Sequence, residues 1–159
     1  MIEWMTGTVI GKIITTFFIS MVPVIELRLG LPYGIALGLD YPVALAAAVL
    51  GNMLPVPFII VFIQQIFCWL RKHFPKMDSF ISKLEDKANL KGETVQKYGP
   101  LGLLLFVAIP LPGTGAWTGS LIAALLGMKP KTAVPCILLG VLIAAGIMTL
   151  LTYGVIHII

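Results

Sequence analysis

Charge is scarce in this chain. Of its 159 residues 11% are Asp, Glu, Lys or Arg, where soluble domains average about 25%. Acidic residues number seven, and cysteine and histidine only two each. These shortages exclude several classes together. No Ser/His/Asp, Cys/His or paired-carboxylate arrangement is apparent, so the chain is read as no enzyme, with no cofactor and no metal centre. Cys68 and Cys136 lie in or beside apolar windows without a CxxC or a nearby His, a setting for small buried thiols rather than a disulfide or metal site. His73 sits in a basic run and His157 near the far end, neither placed as a ligand. No basic stretch precedes the first apolar run and no small-residue cleavage site follows it, which argues against a secretory signal peptide.

Apolar residues are what the chain has in excess: 58% of it, with a mean hydropathy of +1.01. Three windows carry no Asp, Glu, Lys or Arg at all, Tyr41–Leu70, Tyr98–Met128 and Thr132–Ile159. Each exceeds the roughly 20 residues that cross a bilayer as helix. The reading is an integral protein of the cell membrane, one membrane domain over residues 1–159, too short for a second.

Sliding the sequence against itself by 89 residues exposes a repeat. Pro23, Gly30, Leu37-Gly38 and Leu50-Gly51 fall on Pro112, Gly119, Leu126-Gly127 and Leu139-Gly140. The halves are residues 1–70 and 98–159, joined by a linker over 71–97. Gly30, Gly34 and Gly38 are spaced four apart, as are Gly115, Gly119, Ala123 and Gly127. Small residues at that interval give a helix a flat face for close packing. The helices that carry them are short, Leu31–Leu39 with Pro32 in its first turn, and Ala116–Met128. Proline breaks what precedes each one, at Pro23 and in "IPLPGTG" (Ile109 to Gly115). Each is therefore expected to be a re-entrant hairpin that turns at depth, sheltered by protein or a water-filled cavity.

One hairpin plus one full span per half, Pro42–Leu70 and Lys131–Ile159, makes an odd number of crossings and inverts the second copy. The expected fold class is an all-α integral membrane protein. Its architecture is an inverted repeat of re-entrant helical hairpin plus transmembrane helix. Seven of the eleven Lys and Arg lie in the linker, which accounts for the net charge of +4 without nucleic acid. The positive-inside rule puts that linker in the cytoplasm and both termini outside, where Glu3 and Asp40 fall. Phe74, Met77, Ile81, Leu84 and Ala88 recur at helical spacing, with Lys76, Lys83, Lys87 and Lys91 on other faces. A basic amphipathic helix along the membrane surface or under the spans is expected. The competing topology treats Trp4–Ile25 as a further span, with Lys12 snorkelling, and yields four conventional spans with both ends cytoplasmic.

Glu26 and Arg28, two residues apart in the first hairpin, are the conspicuous charges. Insertion scales assign about 2.5–3.5 kcal/mol to such a group at a helix centre, so they persist by pairing or by meeting water and substrate. An extended turn would put both on one side. Burial and a neighbouring guanidinium pull a carboxyl in opposite directions, so Glu26 is a candidate proton carrier and Arg28 a candidate anion contact. A bare ion pair that fixes the turn is the alternative. In the second hairpin Gly113, Thr114, Gly115 and Thr118 stand at the start of a half-helix, where free N–H groups favour anions. A plain tight turn would look the same, and no P-loop is present. Trp117 either lines the cavity or anchors the hairpin. Asn52 lines the pathway or makes an interhelical hydrogen bond. Asp40 is placed to cap its span, and Gln64 and Gln65 approach the cytoplasmic edge.

With "IELRLGLPYGIALG", "GNMLPVPFI" and "VAIPLPGTGAWTGSLIAALLGM", nearly the whole chain resembles the small multi-drug export proteins. That group is similar to a minimal relative of the DedA family, whose members are known or suspected lipid-phosphate and phospholipid transporters. The resemblance implies two opposed re-entrant hairpins, each followed by a transmembrane helix. It also maps the family's acidic residue of the first hairpin onto Glu26. The arginines that DedA proteins place around the second Pro-Gly are missing from Phe106–Trp117; either Arg28 substitutes for them or the substrate differs. The leading function is a proton-coupled secondary transporter or flippase for an amphipathic anion such as a lipid phosphate. A proton-coupled exporter of small lipophilic drugs and a non-transporting membrane scaffold are the alternatives. Membrane lipids, a small amphipathic substrate and protons are the expected partners. A homo-oligomer is expected because two full spans shelter two hairpins poorly and the glycine faces offer packing surfaces, with a dimer the default from symmetry.

Overall fold

A computed structural model describes residues 7–156, apart from Val24 and Pro112. Among them every regular element is a helix, and two helices are long and apolar enough to cross a membrane, Tyr41–His73 and Pro130–Leu151. Glu3, Trp4, Pro112 and His157, used in the sequence reading, lie outside the described residues.

Helix α1 is Val9–Met21. The Thr8 hydroxyl accepts the Gly11 N–H at its start, and Val22 closes it in extended conformation. Thirteen residues reach about 20 Å, short of a hydrocarbon core of about 30 Å. Helix α2 is Glu26–Ala36, and its glycines meet polar residues of α1. A Cβ at Gly30 would strike Ser20, one at Gly34 would strike Thr16, and one at Gly38 would approach the Lys12 ammonium. Each step of four along α2 is matched by a step of four back along α1, the register of an antiparallel helical hairpin. The hydroxyls of Thr15, Thr16 and Ser20 donate to carbonyls four residues back, each at 2.8 Å, so this packed seam holds no unsatisfied hydroxyl.

The spacing of these glycines read correctly; the start of their helix did not. Helix α2 begins five residues before the expected Leu31, so Pro32 lies inside it. Its missing donor leaves the Arg28 carbonyl without an intrahelical partner. Gly38, at φ +80°, ends the helix. Gly38 N–H donates to Ile35 and Leu39 N–H to Gly34, the paired closure that a left-handed glycine permits. Gly127 and Met128, 89 residues on, close their helix identically onto Ala124 and Ala123.

Helices α3 (Tyr41–Met53) and α4 (Pro55–His73) form the first long span, joined through Leu54. Asp40 sits at the cap of α3, but its side chain makes no capping bond. Helix α5 (Asp78–Lys91) follows a short 3-10 turn, Pro75–Met77. Arg71 at the end of α4 ties α5 down through Asp78 at 2.9 Å and Glu85 at 2.6 Å. Ile81 and Ala88 are buried as the helical pattern requires. This basic helix packs beside α7, so its Lys91 is not on a purely solvated face.

Helix α6 (Glu93–Ala108) is folded sharply at Gly99 (φ 58°, ψ −132°). A Cβ at Gly102 would run into Thr94 and Val95, so residues 93–98 double back on 100–108. The arm that approaches the second loop is thus only about 14 Å long. Helix α7 is Ala116–Leu125, three residues shorter than expected, and α8 is Pro130–Ile156. Helix α1 lies on α3 with Gly51 against the Phe17 carbonyl. Helix α6 lies on α8 with Gly140 against the Leu104 carbonyl and Val107. Apolar side chains such as Leu50, Phe58, Phe62, Leu139 and Ile143 remain exposed around this core, a belt that lipid covers.

Candidate functional site

The site lies where the start of α2 meets the start of α7. Helix α1 stops at Met21 because Pro23 cannot continue it. The chain turns, and Glu26 opens α2 at φ 50°, a left-handed conformation that costs a non-glycine residue roughly 1–2 kcal/mol. Such strain survives when surrounding contacts over-determine it, and here they do. Glu26 Oε2 accepts Arg28 Nη1 at 3.1 Å, and Oε1 accepts the Trp117 backbone N–H at 3.4 Å. Its carboxylate lies against Gly115, where any Cβ would collide with it. Glu26 thus caps α7 from another element, with its negative charge at the positive end of that helix. Only 4% of Glu26 is exposed.

Arg28 is also inside a helix, not in the extended turn expected of it, yet the two side chains still pair. Its Nη2 donates to the Ile109 carbonyl at 3.2 Å and to Thr114 Oγ1 at 3.0 Å. The Thr114 hydroxyl itself donates within the loop, to Ile109 and Leu111, so Arg28 and Thr114 together set the loop's shape. From the other side Trp117 Nε1 donates to the Met21 carbonyl at 3.1 Å. Arg28 and Trp117 are 89 residues apart, and each reaches the carbonyl end of the other segment's leading helix.

Two spaces adjoin the pair. A cavity of about 10 Å³ is lined by Glu26, Arg28, Asn52 and Gly115 with apolar neighbours, about one water's worth of room. Asn52 is 2% exposed, and its Oδ1 is buried without a partner among the described residues, as is Arg28 Nε. The larger cavity, about 470 Å³, is walled by Pro23, Ile25, Leu29, Pro110 and Met148, with Glu26, Arg28, Gly113 and Thr118 among its lining. Mostly apolar walls with a few convergent polar groups are the usual make-up of a small-molecule pocket of this size.

Of the residues singled out from the sequence, Glu26, Arg28, Asn52, Gly113, Gly115 and Thr118 line these two spaces; Thr114 and Trp117 line neither and join the site through their bonds to Arg28 and Glu26. Their range also falls within residues 26–147, the stretch that matches the family described as "Putative small multi-drug export protein". The chain belongs to that family. No curated protein and no solved structure matches it. The family match runs from Glu26 through α3 and α4 and into α8 as far as residue 147, so it takes in the first long span, most of the second and the loop that Arg28 holds.

One site-adjacent residue of this family member was not singled out from the sequence. Lys91, the last residue of α5, donates its ammonium to the Gly113 carbonyl at 3.2 Å. Its position in a basic run concealed it, since lysines there read as a headgroup-facing surface.

Proposed function

We propose that the protein is a proton-coupled secondary transporter or flippase for an amphipathic anion such as a lipid phosphate. The observation that carries this reading is the buried Glu26–Arg28 pair beside an apolar cavity of about 470 Å³. The family description, an export protein, favours transport over catalysis. In the proposed cycle, a proton on Glu26 cancels its hold on Arg28 and frees the guanidinium for an anionic head. The neutral carboxyl then donates toward the unpartnered Asn52 Oδ1, directly or through one water in the 10 Å³ cavity. Proton and anion load together. Loss of the proton restores the ion pair and displaces the anion, while the substrate's tail occupies the apolar wall. Once Glu26 is neutral, the positive end of α7 that its carboxylate otherwise caps favours the same charge.

The proposed architecture is the inverted repeat, one domain with halves 1–70 and 98–159 around the linker. Its support is the matched closure at Gly38 and Gly127, the matched seating of Gly51 and Gly140, and the reciprocal reach of Arg28 and Trp117. Glu26 and Gly115 are themselves 89 residues apart and in contact, as residues beside a pseudo-two-fold axis must be. Two opposed re-entrant hairpins would then meet tip to tip, with the linker cytoplasmic, both termini outside and two copies forming a dimer. Proteoliposomes with a pH gradient test the transport reading. Movement of an anionic lipid that Glu26→Gln abolishes supports it, and absence of flux for every substrate leaves a scaffold. The export of lipophilic cations is the second reading, favoured by the buried carboxylate and the family description. The Arg28 charge at 3.1 Å weighs against it.

A further inference from the structure

We infer that Lys91 is the second cation of the anion site, and that the groove between α5 and α7 is the route by which the anionic head reaches Arg28. This rests on the anionic-substrate reading above. The loop 109–115 is bracketed by two cations. Arg28 holds Ile109 and Thr114 from the side of α2, and Lys91 holds Gly113 from the side of α5. Beside Lys91 lies a cavity of about 160 Å³ lined by Leu84, Lys87, Ala88, Lys91, Thr118 and Leu121. Thr118 also lines the 470 Å³ cavity that contains Arg28, and so does Gly113, the residue that Lys91 holds. The two spaces therefore share a wall. A head group moving along it passes from Lys87 and Lys91 to the Thr118 hydroxyl and then to Arg28.

The loop's own sequence offers no cation between Phe106 and Trp117; Lys91 supplies one from the neighbouring helix. A backbone carbonyl is a weak anchor for an ammonium, and a phosphate oxygen makes the stronger, charge-assisted bond. Lys91 thus exchanges Gly113 for the head group when one arrives. Two cations suit a phosphate monoester, which carries up to two charges, better than a diester with one.

The test uses full-length protein in detergent, with Trp4 and Trp69 replaced by Phe so that Trp117 reports on the site. Dioctanoyl phosphatidic acid, dioctanoyl phosphatidylglycerol and inorganic phosphate are the probes. Wild type should bind the monoester more tightly than the diester. Lys91→Gln should weaken the monoester about tenfold and erase the preference, Lys91→Arg should restore both, and Arg28→Gln should abolish binding. Competition by inorganic phosphate identifies the phosphate group itself as the ligand; its failure to compete makes the lipid head with its tail the ligand, and either result supports the site. Unchanged affinity and preference in Lys91→Gln, with Arg28→Gln still defective, overturns the role of Lys91 and leaves the Arg28 site standing. If wild type binds none of the probes, both fall.

Discussion

The coupling between Glu26 and Arg28 gives the sharpest number to challenge. Their charged atoms are 3.1 Å apart, with side chains only 6% and 17% exposed. At an effective dielectric of about 20, the attraction is about 5 kcal/mol. Part of that offsets desolvation, because isolated buried ions are costly. Removing Arg28 alone, as Arg28→Met, should destabilise the fold by about 3–5 kcal/mol, since an uncompensated carboxylate remains at the start of α7. Removing both, as Glu26→Gln with Arg28→Met, should cost far less, because the glutamine carbonyl can still accept the Trp117 N–H. A double-mutant cycle on unfolding free energies in mixed micelles reads the interaction directly. A coupling of about 2 kcal/mol or more is expected. Additivity within about 0.5 kcal/mol would show that the pair is solvated and that the site is not the sheltered one described.

Asn52→Leu should raise stability by about 1 kcal/mol, since it deletes a buried acceptor without a partner, yet impair proton-driven flux in proteoliposomes. Gly51→Ala and Gly140→Ala should each cost about 1–3 kcal/mol, because a Cβ there meets a carbonyl of the helix packed on it. Gly146→Ala, with open space around its Cβ, should be neutral or gain up to about 1 kcal/mol from helix propensity; thermal melts of the three variants check the contrast. Gly115→Ala should displace the Glu26 carboxylate and change Trp117 fluorescence even where the protein still folds. Arg71→Ala should speed amide exchange in α5, which it ties to α4, with little shift of the global melt.

What could be read from residues alone was whatever depends on spacing along one helix. Glycines four apart announced a close-packed face, and both left-handed closures fell at the Leu-Gly pairs of the repeat. Their partners were not legible, since nothing local says that Gly30 will sit on Ser20 or Gly115 on a carboxylate 89 residues away. The helix starting at Glu26 was missed because glutamate is a poor candidate for positive φ, and only contacts with Arg28, Trp117 and Gly115 hold it there. The fold at Gly99 was a missed signal of a different kind. Gly99-Pro100 is a strong turn dipeptide, overlooked inside an otherwise unbroken apolar window. Lys91 escaped notice because charge patterns identify a basic helix face but not which lysine a neighbouring loop will use.

The claim on which the rest depends is that the chain enters the bilayer twice without crossing, from opposite sides, and so crosses fully only twice. Membrane-impermeant maleimide applied to intact cells decides it, using cysteines placed at each end of the chain and at Ser79 in a variant lacking Cys68 and Cys136. Labelling at both ends with Ser79→Cys protected is the predicted result. Protection of both ends together with Ser79→Cys would mean four ordinary spans, and would contradict the account.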